Sequence, residues 1–406
     1  MRIGFYIHHT TIKAGGIFTY SIAILKLLLK AEDIHNIVII TSNEVNDKLK
    51  EILPHPKVEI QNIDRNDFVI KLRLYVYFAG LIVISIFKKI IPSTKLCYNF
   101  IAIANRINPY QKILATADVS VFHLPVQYSP IYKPNIPVIV TMHDLQEYHY
   151  PEFFSRLDKL KRRISNYFAI YFSDEVIVSF VHVKTDILKH FKINENKISV
   201  CSPPFTESWF VGSKETEWIT LEKKYHLKKN YILYPAATWK HKNHITLIRV
   251  MKNLKNEGIE IDLVCTGNKT DYYKNIESLI DELRLSNTIY FLGIVPEEDL
   301  IGLYKNTSLV VIPTLYEAGS GPLYEAMRYQ VPVICSNVTS LPETISNNDF
   351  VFSPTNMELI IEKIKLGLFD EDYRKRNIQN SKIRMQELSK LDYYQSFLTT
   401  YRKLIS

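Results

Sequence analysis

Two glutamates eight positions apart, Glu317 and Glu325, bracket the run Gly319-Ser320-Gly321-Pro322-Leu323. Carboxylates accept strong charge-assisted hydrogen bonds, which suits one of them to sugar hydroxyls and the other to a ribose. Proline at the expected first helical position leaves the free N–H groups of that helix start aimed at whatever binds there. Earlier in the chain, Lys240-His241-Lys242 stands just before a helix expected to begin near Asn243. Lysine charge combined with helix-end N–H groups suits a diphosphate. His143-Asp144 follows an apolar run, where an imidazole can meet a sugar hydroxyl or a transferred proton. Gly15-Gly16 opens another helix, and a backbone without Cβ atoms can approach an anion closely. Taken singly, each feature is also an ordinary element of a soluble protein: a Gly-rich turn with two surface acids, a solvated basic turn, a loop histidine, a strand-to-helix turn.

The elements around these residues decide how they are placed. Strand-like apolar runs occur at Ile3–Ile7, Ile37–Thr41, Val58–Gln61, Val119–Phe122, Val138–Met142, Glu175–Ser179 and Lys197–Cys201. A second series follows at Tyr231–Tyr234, Ile261–Thr266, Ile289–Leu292, Leu309–Pro313, Val331–Cys335 and Phe350–Ser353. Helical patterns lie between them, near His244–Asn256, Tyr272–Arg284, Glu297–Lys305 and Pro322–Tyr329. Short apolar strands alternating with helices predict parallel sheets covered on both faces. Two such series predict two doubly wound α/β domains, with a charged seam at Thr206–Asn230. In open parallel sheets ligands bind beyond the carboxyl ends of the strands. Every chemical feature named above falls at such an end.

Bulk properties narrow the class. A chain of 406 residues, 47% hydrophobic and 23% charged, is long enough for two cores. The net charge of +8 favours phosphate, nucleic acid or anionic lipid as partner. No base-reading motif accompanies it, so nucleic acid is not expected. Cys97, Cys201, Cys265 and Cys335 are scattered without a C-x-x-C pair, which predicts reduced thiols and a cytoplasmic setting. Arg2–Ile7 reads as a first strand and not as a signal peptide. Leu74 to Phe87 is apolar and uncharged, about 14 residues against the roughly 20 that span a bilayer. It reads as a buried or cleft-lining helix, or alternatively as one lying on a membrane face beside its basic flank Lys88-Lys89. The G-x-G-x-x-G fingerprint of dinucleotide sites is absent.

Together, in this order and each after a strand, these features resemble the retaining family-4 glycosyltransferases (glycosyltransferase group 1) of the GT-B fold. Glu317 and Glu325 match the E-x7-E motif of that family. Gly15-Gly16, His143-Asp144-Leu145-Gln146, Trp239–His244, Val331–Ser336 and Asn337–Glu343 complete a resemblance that covers most of the chain. It implies a GT-B architecture: two Rossmann-like domains facing across a cleft, residues 1–205 for the acceptor and 206–387 for the donor, closed by a helix at 388–406. It implies that Glu317, His143 and Lys242 carry the chemistry. Lys242 would bind the donor diphosphate, Glu317 the sugar hydroxyls and His143 the sugar from the first domain. Glu325 would bind the ribose, Gly15 and Gly16 would approach the β-phosphate, and the amides of Gly319, Ser320, Gly321 and Leu323 would surround sugar and phosphate. The base would lie after Phe291-Leu292-Gly293. Where many members carry an arginine shortly before the lysine, this chain has Ala237 or Thr238, so Lys240 or His241 is expected to supply the charge.

The chemistry so implied is transfer of a sugar from a nucleotide-diphosphate donor to a hydroxyl acceptor, with retention and front-face attack. The acceptor would be a saccharide or lipid-linked saccharide in surface polysaccharide or lipopolysaccharide assembly, with a membrane surface as a further partner. No D-x-D motif stands where a metal would be needed, so neither a cofactor nor an essential metal is expected. Two other readings stay open: a nucleotide-sugar epimerase on the same fold, and a catalytically silent scaffold that binds nucleotide sugars.

Overall fold

In the computed structural model, each strand-like run named above forms a strand, its ends moved by at most two residues. The structure describes residues 1–7, 16–42, 49, 54–64, 66–90, 94–204 and 214–405. The chain divides into two units, Met1–Pro204 with Asp392–Ser406, and Phe205–Leu391.

The first unit holds β1 (Arg2–Tyr6), β2 (Asn36–Thr41), β3 (Val58–Asn62), β4 (Val121–Leu124), β5 (Val138–Met142), β6 (Glu175–Val178) and β7 (Ile198–Val200). They pair in the order β3-β2-β1-β4-β5-β6-β7, all parallel. The central strands are buried on both faces, which is why they read as continuous apolar runs. The last helix, Tyr393–Ile405, belongs to this unit. Its Phe397 and Tyr401 are buried with the first-unit core, and the Tyr401 hydroxyl meets His123 Nδ1 at 2.8 Å. The closing helix expected at 388–406 is shorter than that: Leu388 and Ser389 are the last residues of a second-unit helix, Glu371–Ser389, and the chain returns to the first unit at Asp392.

The apolar stretch read at Leu74–Phe87 lies within a longer helix, Phe68–Ile90. Among its described side chains a narrow stripe, Tyr77, Leu81 and Ile84, packs inward, against Cys97, Ile101, Tyr132 and Phe168. Phe68, Leu72, Tyr75, Val76 and Val83 are exposed. Among the described residues no helix is long and apolar enough to cross a membrane.

The second unit holds β8 (Tyr231–Pro235), β9 (Asp262–Thr266), β10 (Ile289–Phe291), β11 (Leu309–Ile312), β12 (Val333–Ser336) and β13 (Val351–Phe352), paired as β10-β9-β8-β11-β12-β13, again all parallel. Helices His244–Asn256 and Met357–Phe369 cover it with Leu247, Ile248, Met251, Ile360 and Ile364. All four cysteines are buried and free. Both sheets reverse strand order next to their first strand, between β1 and β4 and between β8 and β11. That reversal is where a doubly wound sheet opens a crevice at its carboxyl edge.

Candidate functional site

In the second unit β8 runs into residues 236–243 and β11 into 313–320, so both loops leave the sheet at the reversal point. They are laced to each other. The carbonyl of His241 accepts from the Leu315 amide (2.8 Å) and from Thr314 Oγ1 (3.0 Å). Asn243, at φ 61°, donates from Nδ2 to the carbonyls of Pro313 (2.9 Å) and Pro354 (3.0 Å). Asparagine tolerates that left-handed conformation, and here it starts the helix His244–Asn256 while tying three loops together. Gly267, at φ 110°, closes the other side of the first loop. A Cβ there would stand 2.8 Å from the backbone of Ala236 and Ala237.

This lacing brings Lys242 and Glu317 together. Lys242 Nζ lies 2.5 Å from Glu317 Oε2, and both side chains are largely buried. The Lys242 carbonyl accepts from the buried Tyr234 hydroxyl at 2.7 Å. Glu317 is fixed through its backbone: Thr339 Oγ1 accepts from its amide (3.1 Å) and donates to its carbonyl (2.7 Å), and Ser340 Oγ donates to the same carbonyl (3.0 Å). Thr339 does so at φ 52°, a conformation costly for a β-branched residue and often found at functional sites. Asn243, Thr339 and Ser340 escaped the sequence reading as positioning residues. Isolated polar residues carry no periodicity, and their partners lie 22 to 111 positions away. The one local signal was the residue type of Asn243, since asparagine enters the left-handed region more readily than most residues with a side chain.

Beyond Glu317, the helix Gly321–Arg328 begins with Pro322 in its first turn and Ser320 as N-cap. Ser320 takes up the Leu323 amide with both its hydroxyl (3.4 Å) and its carbonyl (3.2 Å). Leu323, expected to offer its N–H to a ligand, is therefore engaged inside the helix start. The amides of Gly319, Ser320 and Gly321 meet no acceptor among the described residues. Positive amide ends at a helix N-terminus favour a negative group. One helix turn on, Glu325 accepts from the Tyr304 hydroxyl at 2.6 Å. Burial raises its pKa to about 7, against the lowering effect of that hydrogen bond, with Glu297 adding to the rise.

The basic segment carries less charge than its composition implies. Burial, then Lys242, and then His244 push His241 down to about 3, and burial followed by Lys242 does the same to His244. At neutral pH the positive charge comes from Lys242 and the exposed Lys240. His241 contributes its carbonyl to loop geometry and not a cation.

The remaining candidates lie in the first unit. His143 follows β5, and its Nε2 donates to the Pro125 carbonyl at 3.0 Å. Burial lowers its pKa, although the Pro125 bond and Asp144 act in the opposite direction. A neutral ring donating through Nε2 presents Nδ1 as an acceptor, suited to a hydroxyl proton. The ring packs edge-on against Tyr20 (4.9 Å), one turn into the helix Gly16–Leu29, so His143 and the Gly16 helix start share one end of the sheet. Gly15 lies outside the described residues. Asp144 and the buried Glu147 are both held by Arg162, at 2.6 Å and 2.9 Å. Although burial opposes it, these two carboxylates keep the guanidinium charged.

Residues 219–384, which contain the Lys242–Glu317 pair, the 319–321 amides and Glu325, match the family model described as glycosyl transferases group 1. The chain is 28% identical over 215 residues to the O-antigen chain mannosyltransferase RfbU of Salmonella typhimurium, covering 53% of this chain and 56% of that one. It is 26% identical over 273 residues to O-antigen chain mannosyltransferase B of Escherichia coli, covering 66% and 71%. The match thus spans little more than half the length of the first relative. A solved structure of Anabaena Alr3699/HepE in complex with UDP and glucose aligns over 100% of both chains, with a TM-score of 0.66 and 16% identity. At that identity the likeness is one of fold, GT-B. The stretch similar to the glycosyl transferases group 1, residues 219–384, thus holds the ion pair at the reversal point of the second sheet.

Proposed function

We propose that this protein transfers a sugar from a nucleotide-diphosphate donor to a hydroxyl of a saccharide in surface-polysaccharide assembly. The observation that carries this reading is the Lys242–Glu317 pair beside the unengaged amides of Gly319, Ser320 and Gly321. An ammonium has three N–H donors. With one on Glu317, two remain for phosphate oxygens, while Glu317 Oε1 is left to accept from a sugar hydroxyl. Charge on the departing diphosphate grows in the transition state, and fixed donors aimed at it are usually the largest catalytic contribution. The donor-side chemistry is therefore supplied by Lys242 and the 319–321 amides, with Glu325 on the ribose hydroxyls. His143, as a neutral acceptor, is assigned to the sugar.

The transfer retains configuration by front-face attack, the leaving phosphate oxygen taking the acceptor proton, and it needs no metal. The names of the O-antigen mannosyltransferase relatives make a mannose donor the first to try. The exposed apolar face of Phe68–Ile90 supports a lipid-linked acceptor met at a membrane surface.

The test is thermal unfolding of the whole chain with UDP, GDP, ADP, CMP and dTDP, each with and without magnesium, followed by product analysis with the matching sugar donor. A ligand at 100 times its dissociation constant adds about 2.7 kcal/mol, a shift of a few degrees. One diphosphate shifting the transition equally with and without magnesium, and a glycosylated acceptor as product, are the expected results. An isomerised donor as product would mean an epimerase. No shift with any nucleotide would remove the donor site.

A further inference from the structure

Away from the Lys242–Glu317 pair, the first unit gathers His149, Asp186 and His190. Asp186 is buried, 5% exposed, and among the described residues neither lysine nor arginine pairs with it. Its two oxygens turn to two imidazoles instead: Oδ2 lies 2.6 Å from His149 Nε2 and Oδ1 lies 3.7 Å from His190 Nε2. One ligand atom from each residue falls within 4.8 Å of the others. In a tetrahedral zinc site with bonds of about 2.0–2.1 Å, ligand atoms stand about 3.3 Å apart, a value these separations straddle.

The local structure explains the grouping. Asp186 and His190 are four positions apart on the helix Val181–His190, so they share one face. The same spacing places two metal ligands side by side in helical zinc motifs. His149 ends the short helix Gln146–His149 and supplies the third atom from a different segment. The rings of His149 and His190 stand at 89° with centroids 5.9 Å apart, and Tyr148 covers the His190 ring at 4.7 Å. Both imidazoles remain partly open to solvent while the carboxylate is inside.

We propose that His149, Asp186 and His190 bind a zinc-class divalent cation, with water completing a fourth, outward position. Two imidazoles and one carboxylate suit borderline ions such as zinc better than magnesium or calcium, which take oxygen ligands. The ion neutralises the buried carboxylate and cross-links the helix Val181–His190 to the segment that begins at His143. Its role is to fix that segment, and it takes no part in the sugar transfer proposed above.

The experiment uses the full chain, stripped with chelator and dialysed against zinc chloride. The expected result is one bound zinc per chain, a raised unfolding temperature, and the same with cobalt in place of zinc. His149→Gln and His190→Gln each weaken zinc binding by at least roughly tenfold, the loss that outer-shell partners alone can cause. Both variants change the zinc-free unfolding temperature little, because the glutamine amide can still donate to the buried Asp186 carboxylate. Cobalt gives a reading that involves no substitution: a four-coordinate nitrogen and oxygen site absorbs visible light strongly, whereas hexaaquo cobalt does not. A chain that retains no zinc, a double variant that retains it fully, or cobalt that stays octahedral would each overturn the proposal. None of these outcomes depends on whether the chain transfers sugar.

Discussion

At the scale of single residues, the Lys242–Glu317 pair links stability to the proposed chemistry. Glu317 is 8% exposed, so removing Lys242 leaves a carboxylate with little water to replace its partner. Lys242→Ala should destabilise the second unit by roughly 3 kcal/mol, the low end for a broken buried pair. The double variant Lys242→Met with Glu317→Gln should recover most of that loss, because it removes both charges. Turnover should fall by on the order of 10²–10³-fold in all of them and should not recover in the double variant. Urea unfolding and donor turnover, measured on the same preparations, separate the two effects, and a Lys242→Ala protein as stable and as active as its parent would refute both roles. Glu325 gives a second residue-scale prediction. Its pKa rises from the ordinary 4.5 to about 7 on folding, through burial. Below pH 4.5 it is protonated in both states. Between pH 4.5 and 7 the unfolded chain ionises first, so folding stability declines by roughly 3 kcal/mol across that window and is flat above it. A Glu325→Gln variant should lack this decline when the two stability–pH curves are subtracted. Ribose hydroxyls prefer the carboxylate, so nucleotide affinity should rise across the same window, tighter at pH 8 than at pH 5.5 by calorimetry.

At the scale of elements, two glycines at loop ends make opposite predictions. Gly267→Ala would force a Cβ to 2.8 Å from the backbone that ends β8, at a φ of 110° that side chains rarely adopt. It should displace residues 236–243, lower the unfolding temperature and weaken nucleotide binding together. Among the described residues, a Cβ on Gly16 meets nothing within 4 Å, and it sits at a helix start. Gly16→Ala should leave the unfolding temperature unchanged or slightly higher, and should weaken donor binding only because the ligand's phosphate needs that space. Equal donor affinity in this variant would refute close approach at Gly16. The contrast also shows what a sequence can carry. Buried parallel strands are continuous apolar runs, so β8 and β11 were legible, and with them the loops that hold Lys242 and Glu317. The helix His244–Asn256 was legible from its apolar period. The charge state of His241 was not, because it depends on burial beside Lys242 and not on composition. Nor was the Thr339 clasp on Glu317, which joins loops from adjacent strands. The helix Phe68–Ile90 was read short because Lys71 and Arg73 bounded the apolar window, yet both sit on its exposed surface.

At the scale of the whole molecule, the excess of positive charge and this same helix bear on where the protein works. A surface helix normally buries an apolar stripe and shows polar residues to water. Here the buried stripe is narrow, while Phe68 is 76% exposed and Tyr75 70%, and Val76, Val83 and Ile86 are exposed with them. The neighbouring helix Thr94–Asn105 adds Phe100 and Ile103 to the exposed set. Contiguous apolar surface of this kind marks an interaction site, and a net charge of +8 favours an anionic one. The protein should therefore sediment with vesicles that contain an anionic phospholipid and much less with neutral ones. Raised salt should weaken the binding without abolishing it, since only the charge contribution is screened. Tyr75→Ser, Val76→Ser and Val83→Ser combined remove apolar surface without touching Tyr77, Leu81 or Ile84. That variant should keep the parent's unfolding temperature and lose most vesicle binding, together with any preference for a lipid-linked over a free saccharide acceptor. If it sediments like the parent, charge alone holds the protein to the vesicle, and the exposed helix face has no part in presenting the acceptor.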